Sequence, residues 1–207
     1  MHKTSSIIVI GLLLCTLSVS GVLAQGDELK EAFAQSYALE AQKDYVKATR
    51  VLKQVFDQQS YELNLRLGWL NYLSGQYSES LKYYQTAAAL MPCSVEAKLG
   101  CVLPASALGN WSDVIDYYYK VLEIDPHNCQ ANYYMGLIGY NNRDYERAYK
   151  YLKRVVDLYP FDHDGVILFA WCNYQLAKKD QARVLFTRAL LAVPDDRSAL
   201  EGLKLLN

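Results

Sequence analysis

The sequence has no excess of charge of either sign. Its 21 Lys and Arg stand against 22 Asp and Glu, for a formal net charge of −1. A surface balanced in this way offers no electrostatic footprint for nucleic acid or for an anionic membrane. Helix breakers are also scarce, with 5 Pro and 11 Gly, which is a helical balance. Catalytic signatures are missing. There is no phosphate-cradling glycine loop, no G-x-S-x-G elbow and no H-E-x-x-H helix. Carboxylates are scattered over polar helix faces, so no enzyme and no cofactor is expected. Histidine is rare. His127, His163 and Cys129 are ligand types that zinc accepts, but they fall on solvated inter-repeat turns and the repeat spacing separates the two histidines, so no metal is expected.

What is present in quantity is apolar and aromatic. Hydrophobic residues make up 52% of the 207-residue chain, enough for a core in one domain. Tyrosine stands out at 18 residues. Its ring is apolar and its tip polar, which suits half-buried helix surfaces and binding faces. Beyond the N-terminal segment there are four cysteines, Cys93, Cys101, Cys129 and Cys172. An even count in an exported chain raises the question of disulfides. Packed helices lie about 10 Å apart, whereas a disulfide needs Cα atoms roughly 4.4–6.8 Å apart. Simple pairing is therefore disfavoured.

The N-terminus reads as an export signal over residues 1–24. Lys3 is the positive flank, Ile7–Ile10 and Leu12–Leu14 form the apolar core, and Val22-Leu23-Ala24 has the small-residue spacing of a cleavage site. The mature start is then Gln25. The alternatives are an uncleaved membrane anchor and lipid attachment at Cys15.

Pro92, Pro126, Pro160 and Pro194 follow one another at intervals of 34 residues. The turn positions Gly75, Gly109, Arg143 and Ala177 keep the same step. So do Ser80, Val114, Ala148 and Ala182, then Tyr84, Tyr118, Leu152 and Phe186, then Ala87, Val121, Val155 and Ala189. The four-then-three offset between these sets is one face of a helix. Each unit reads as two helices, the second ending before the proline. The units are 61–94, 95–128, 129–162 and 163–196, preceded by a less regular one at 29–60. Residues 197–207 read as a capping helix, with Ala199, Leu200 and Leu203 as candidates to cover apolar surface. Pro104, inside a first helix, is expected to kink it or shift its register.

On these residues the chain resembles the tetratricopeptide repeat (TPR) family. The period, the proline, Leu67-Gly68, Met135-Gly136, and Ala182 with Phe186 and Ala189 carry the likeness. It departs from the family pattern in two respects. Asn64, Lys98, Asn132 and Val166 stand where tryptophan is usual, and Val102 replaces a small glycine. The resemblance implies an all-α fold, a right-handed α-solenoid of about five TPR helix pairs with a C-terminal capping helix. It also implies a concave wall of first helices that holds a peptide or partner helix. The side chains placed there are Phe33, Tyr37, Leu65, Trp69, Tyr72, Tyr133, Tyr140, Trp171 and Tyr174. Aromatic rings give contact area at little rotamer cost and dominate hot spots. Packing between helices is the competing role for each ring. The Lys and Asn clamp of TPR co-chaperones is missing, so an apolar or aromatic ligand is expected over an acidic tail.

The expected function is that of a non-catalytic, exported scaffold, periplasmic or secreted, that binds a protein or peptide. The alternative is a structural or accessory subunit that self-associates or joins an envelope complex. Tyr83, Tyr117, Tyr118, Tyr119, Tyr149 and Tyr151 on second helices motivate it, as exposed rings mark contact surfaces.

Overall fold

The computed structural model describes residues 26–206. The signal, its cleavage site and Cys15 lie outside the described residues. All regular structure among the described residues is helical. Helix α1 covers residues 26–41 and α2 covers Tyr45–Gln54. Next come α3 (Tyr61–Leu73), α4 (Tyr77–Leu90), α5 (Val95–Ala107) and α6 (Trp111–Ile124). They are followed by α7 (Cys129–Asn141), α8 (Tyr145–Leu158), α9 (His163–Gln175), α10 (Lys179–Ala192) and α11 (Arg197–Leu205). No helix among the described residues is long and apolar enough to cross a membrane.

Local chemistry fixes where these helices start. Ser60, Ser94, Asn128, Asp162 and Asp196 each precede an odd-numbered helix. Each side-chain oxygen accepts the backbone N–H three residues on, at 3.2, 3.0, 3.0, 2.8 and 2.6 Å. Such a cap satisfies an orphan donor and is worth about 1 kcal/mol.

The loops leading into the caps are tied from within. Asn64 donates to the carbonyls of Gln58 and Ser60 at 3.0 and 2.7 Å. Asn132 repeats this with Pro126 and Asn128 at 3.0 and 2.9 Å, and the Lys98 ammonium donates to the Pro92 carbonyl. Polar side chains at the position where the family has tryptophan thus satisfy loop carbonyls. Val166 has no donor there, and Arg188 reaches the Pro160 carbonyl instead, at 3.4 Å.

The turns within each helix pair are left-handed. Lys43, Gly75, Gly109, Arg143 and Ala177 have φ of 60, 77, 75, 62 and 58°. Glycine takes this conformation freely, whereas Arg143 and Ala177 hold it against the Cβ–carbonyl clash.

The chain divides in sequence between Leu108 and Gly109 into two compact units, inside the third helix pair. In unit 1, Ala48, Leu52, Leu63, Leu67 and Leu70 form a core with Leu29, Phe33 and Tyr83 packed against it. In unit 2, the core gathers Ala148, Leu152, Val166, Ala170, Cys172, Ala182, Phe186 and Ala189.

Large second-helix side chains fit beside glycines on first helices. A Cβ on Gly68 or Gly100 would come within 2.9 or 2.4 Å of the Tyr84 ring. One on Gly136 would meet Leu152 at 2.6 Å, and one on Gly202 would meet Phe186 at 2.3 Å. These close approaches explain why Tyr84 and Phe186 are buried despite their size.

Two expectations need correction and one is narrowed. Pro104 does not shift the register: α5 has 13 residues, as do α3, α7 and α9, and Pro104 is buried within it. The clash of a helical proline is with the carbonyl of the residue four earlier, here Gly100, whose backbone yields most easily. Tyr118 is not an exposed outer ring. It is 3% exposed and stacks on Tyr134 with centroids 5.6 Å apart. In α11, Leu200 is half exposed, whereas Ala199 is buried and Leu203 packs against the unit 2 core, with Gly202 and, just past the helix, Leu206 also buried.

Candidate peptide-binding cleft

Unit 1 holds a cleft of about 450 Å³ over the first helices α1, α3 and α5. Phe33 and Tyr37 come from α1, Leu65 and Trp69 from α3, and the floor includes Tyr84 and Gly100. The sequence-nominated Phe33, Tyr37, Leu65 and Trp69 are therefore brought together. Tyr72 stands just behind them, stacked on Trp69 at 6.0 Å and tilted against Tyr77 at 5.7 Å. A second cavity in this unit, about 500 Å³, runs along Leu29, Val55, Phe56 and Leu63 and includes none of the nominated residues.

Helical spacing puts Phe33 and Tyr37 on one face of α1, and Leu65 and Trp69 on one face of α3. The rings are held by a polar network that the sequence reading did not include. The Trp69 indole N–H donates to Glu40 at 2.7 Å. The other Glu40 oxygen pairs with the Arg66 guanidinium. Arg66 Nε donates to Ser36 Oγ at 3.2 Å, and the Ser36 hydroxyl donates to the Phe33 carbonyl at 2.8 Å. The Tyr37 ring lies on the guanidinium face, 3.8 Å from its carbon.

Arg66 is 6% exposed, and its Nη2 has no hydrogen-bond partner. Partial burial pushes the Glu40 carboxyl up, but the Trp69 N–H and Arg66 outweigh it and hold Glu40 below its ordinary value. One signal in the sequence marks Arg66. It is the only charge between Leu63 and Leu73, and a lone charge in so apolar a helix is expected to be buried and paired.

Two carboxylates complete the lining, Glu62 and Glu96. Both are exposed. Tyr61 Oη donates to Glu96 at 3.1 Å and lies 2.9 Å from Ser94 Oγ. Glu62 accepts from Ser60 Oγ at 3.0 Å.

The remaining nominated residues, Tyr133, Tyr140, Trp171 and Tyr174, belong to unit 2. Tyr133 lines a shallower cavity of about 360 Å³ with Cys129, Tyr134, Asp162 and Asp164. Tyr140 sits edge-on to Tyr145 at 5.5 Å. Trp171 donates from its indole to Ser198 at 2.7 Å and meets Tyr174 and Phe186 edge-on at 5.6 and 5.0 Å. Tyr140, Trp171 and Tyr174 all pack against the unit 2 core.

None of Cys93, Cys101, Cys129 and Cys172 is in a disulfide. Burial raises the Cys172 thiol to about 11. Among the described residues, no three His, Cys, Asp or Glu side chains are grouped to hold a metal.

Residues 107–189 match the family model of anaphase-promoting complex, cyclosome, subunit 3. Among solved structures, a tetratricopeptide repeat protein from Parabacteroides merdae is similar at 19% identity and a TM-score of 0.73. The match covers 87% of this chain and 72% of that one. MamA is similar at 17% identity and a TM-score of 0.69, over 81% of this chain and 92% of that one. YrrB, described as a TPR protein with an unusual peptide-binding site, is similar at 13% identity and a TM-score of 0.68, over 89% and 97%. At these identities the likeness is one of architecture: the chain has the all-α helical-repeat fold of tetratricopeptide-repeat proteins.

Proposed function

We propose that this protein is a non-catalytic, exported scaffold that holds a peptide segment of a partner protein in the aromatic cleft of unit 1. The observation that carries this reading is the convergence of Phe33, Tyr37, Leu65 and Trp69 on one open cleft of about 450 Å³. The Trp69 ring is pre-set by Glu40, which Arg66 holds in turn, so little of its side-chain entropy remains to be lost on binding. Export is supported by the apolar N-terminal run and the Val22-Leu23-Ala24 site. The peptide-binding site described for YrrB belongs to that protein, and it lends this fold a precedent.

The test is a random-peptide array probed with the protein purified after expression of the full chain. Trp69→Ala and Tyr37→Ala should each lower the signal of retained peptides about tenfold or more, as hot-spot truncations do, with the helical circular dichroism signal kept. Tyr37 is 57% exposed, so its removal leaves the core intact. Retention that ignores both substitutions would move the function away from this cleft. N-terminal sequencing of the exported chain should begin at Gln25.

A second reading, self-association or service as an accessory subunit, draws on exposed apolar side chains. Trp111 is 61% exposed, Phe161 62%, Val184 58% and Leu191 71%. Light scattering that gives a defined dimer would favour it.

A further inference from the structure

We propose that the unit 1 cleft selects an internal peptide segment in which a Lys or Arg stands near an apolar or aromatic anchor, and that Glu62 and Glu96 read that cation. This rests on the cleft being the binding site and names the chemistry of its ligand.

The argument is one of charge and of an unmet donor. The apolar part of the wall, Phe33, Leu65 and Trp69, fits an apolar side chain. The only cation in the lining is Arg66, and its charge is taken up by Glu40. Glu62 and Glu96 are in the same lining, exposed, and among the described residues neither has an ion-pair partner. The cleft therefore carries two uncompensated negative charges. A peptide's terminal carboxylate or an acidic side chain would meet repulsion there, and a Lys or Arg would meet attraction.

The unmet donor concerns the peptide's main chain. Arg66 is nine-tenths buried and its Nη2 has no acceptor, a state that costs free energy until an oxygen arrives. Tyr37 covers that guanidinium, yet Tyr37 is more than half exposed. Arg66 also lines the cleft, where a main-chain carbonyl of the bound segment is the neutral acceptor for its remaining donor. A neutral oxygen suits the site better than a carboxylate, given the two glutamates beside it. The segment is accordingly bound along its length, not by its C-terminus.

The experiment extends the peptide array. Peptides retained by the wild type in a Trp69-dependent manner are sorted by charge and by blocked or free C-terminus. We expect enrichment of Lys or Arg within about four residues of an aromatic or aliphatic anchor, in blocked peptides. The best such peptide is then titrated against Glu62→Gln/Glu96→Gln. Both positions are exposed, so the variant folds, and affinity should fall about fivefold. That difference should vanish in about 1 M salt, where the Debye length is about 3 Å. For the carbonyl contact, Arg66→Met is made together with Glu40→Gln, which removes both charges and keeps an acceptor for Trp69. Affinity should fall about tenfold, with the melting curve as the folding control.

Trp69-dependent peptides that are acidic, or that need a free C-terminus, would overturn this inference and leave the cleft as the binding site. So would an unchanged affinity in Glu62→Gln/Glu96→Gln. Retention that does not depend on Trp69 would overturn both.

Discussion

At the scale of single residues, the clearest tension is in the turns. Arg143 and Ala177 occupy the left-handed position that Gly75 and Gly109 fill elsewhere. The left-handed backbone costs an L-residue about 1–2 kcal/mol, and a new glycine gives back about 0.4–1 kcal/mol through the unfolded chain. Ala177→Gly should therefore stabilise the protein by about 0.5–1 kcal/mol, measured by urea denaturation. A loss of stability would mean that the Ala177 methyl contributes packing. The turns were legible from their 34-residue step. The ties of Asn64, Lys98 and Asn132 to loop carbonyls were not. Those positions register only as departures from a family pattern until the carbonyls they reach are seen. Arg66 was missed for a related reason. Its partners Ser36 and Glu40 lie one helix pair away in the chain, and no local spacing points to them.

Among elements, the fit of a large side chain into a space left by glycine decides how neighbouring helices approach. Tyr84 of α4 has Gly68 of α3 on one side and Gly100 of α5 on the other. Gly100→Ala forces a Cβ to within 2.4 Å of that ring. It should destabilise by about 1–3 kcal/mol, the usual effect of overpacking. Tyr84→Leu in the same chain should recover part of the loss, because Leu152 fills the equivalent place in the fourth helix pair. Thermal melts of the two single variants and the double variant measure the coupling. The periodic pattern identified Tyr84 as a core position, but it did not pair it with Gly100, because that contact joins different helix pairs. The nominated aromatic residues show the same division. Helical spacing put Phe33 with Tyr37 and Leu65 with Trp69. It could not distinguish Trp69, which lines the unit 1 cleft with its indole on Glu40, from Trp171 at the equivalent place, which packs on the unit 2 core with its indole on Ser198.

For the whole molecule, the fold class was readable because one phase runs through successive helices. A single helix pair cannot bury both of its apolar sides, so stability accrues through neighbour contacts. The last contact in unit 2 is made by α11, which places Ala199 and Gly202 beside Phe186 and engages the indole of Trp171 through Ser198. Ending the chain at residue 196 should expose the Phe186 ring and lose about 2–3 kcal/mol of burial. A lower melting temperature and increased binding of a hydrophobic dye are the expected readings. An unchanged melt would show that α11 is dispensable.

The five capping residues Ser60, Ser94, Asn128, Asp162 and Asp196 share one phase. A duplication or loss of 34 residues anywhere between Ser60 and Asp196 thus rejoins one helix start to another with its hydrogen bond in place. An insertion of 33 or 35 would put the wrong residue ahead of the helix and turn its apolar side by about a quarter-turn or more. Growth of such a chain is thereby quantised: its length can change by whole modules without mending, and by almost nothing else.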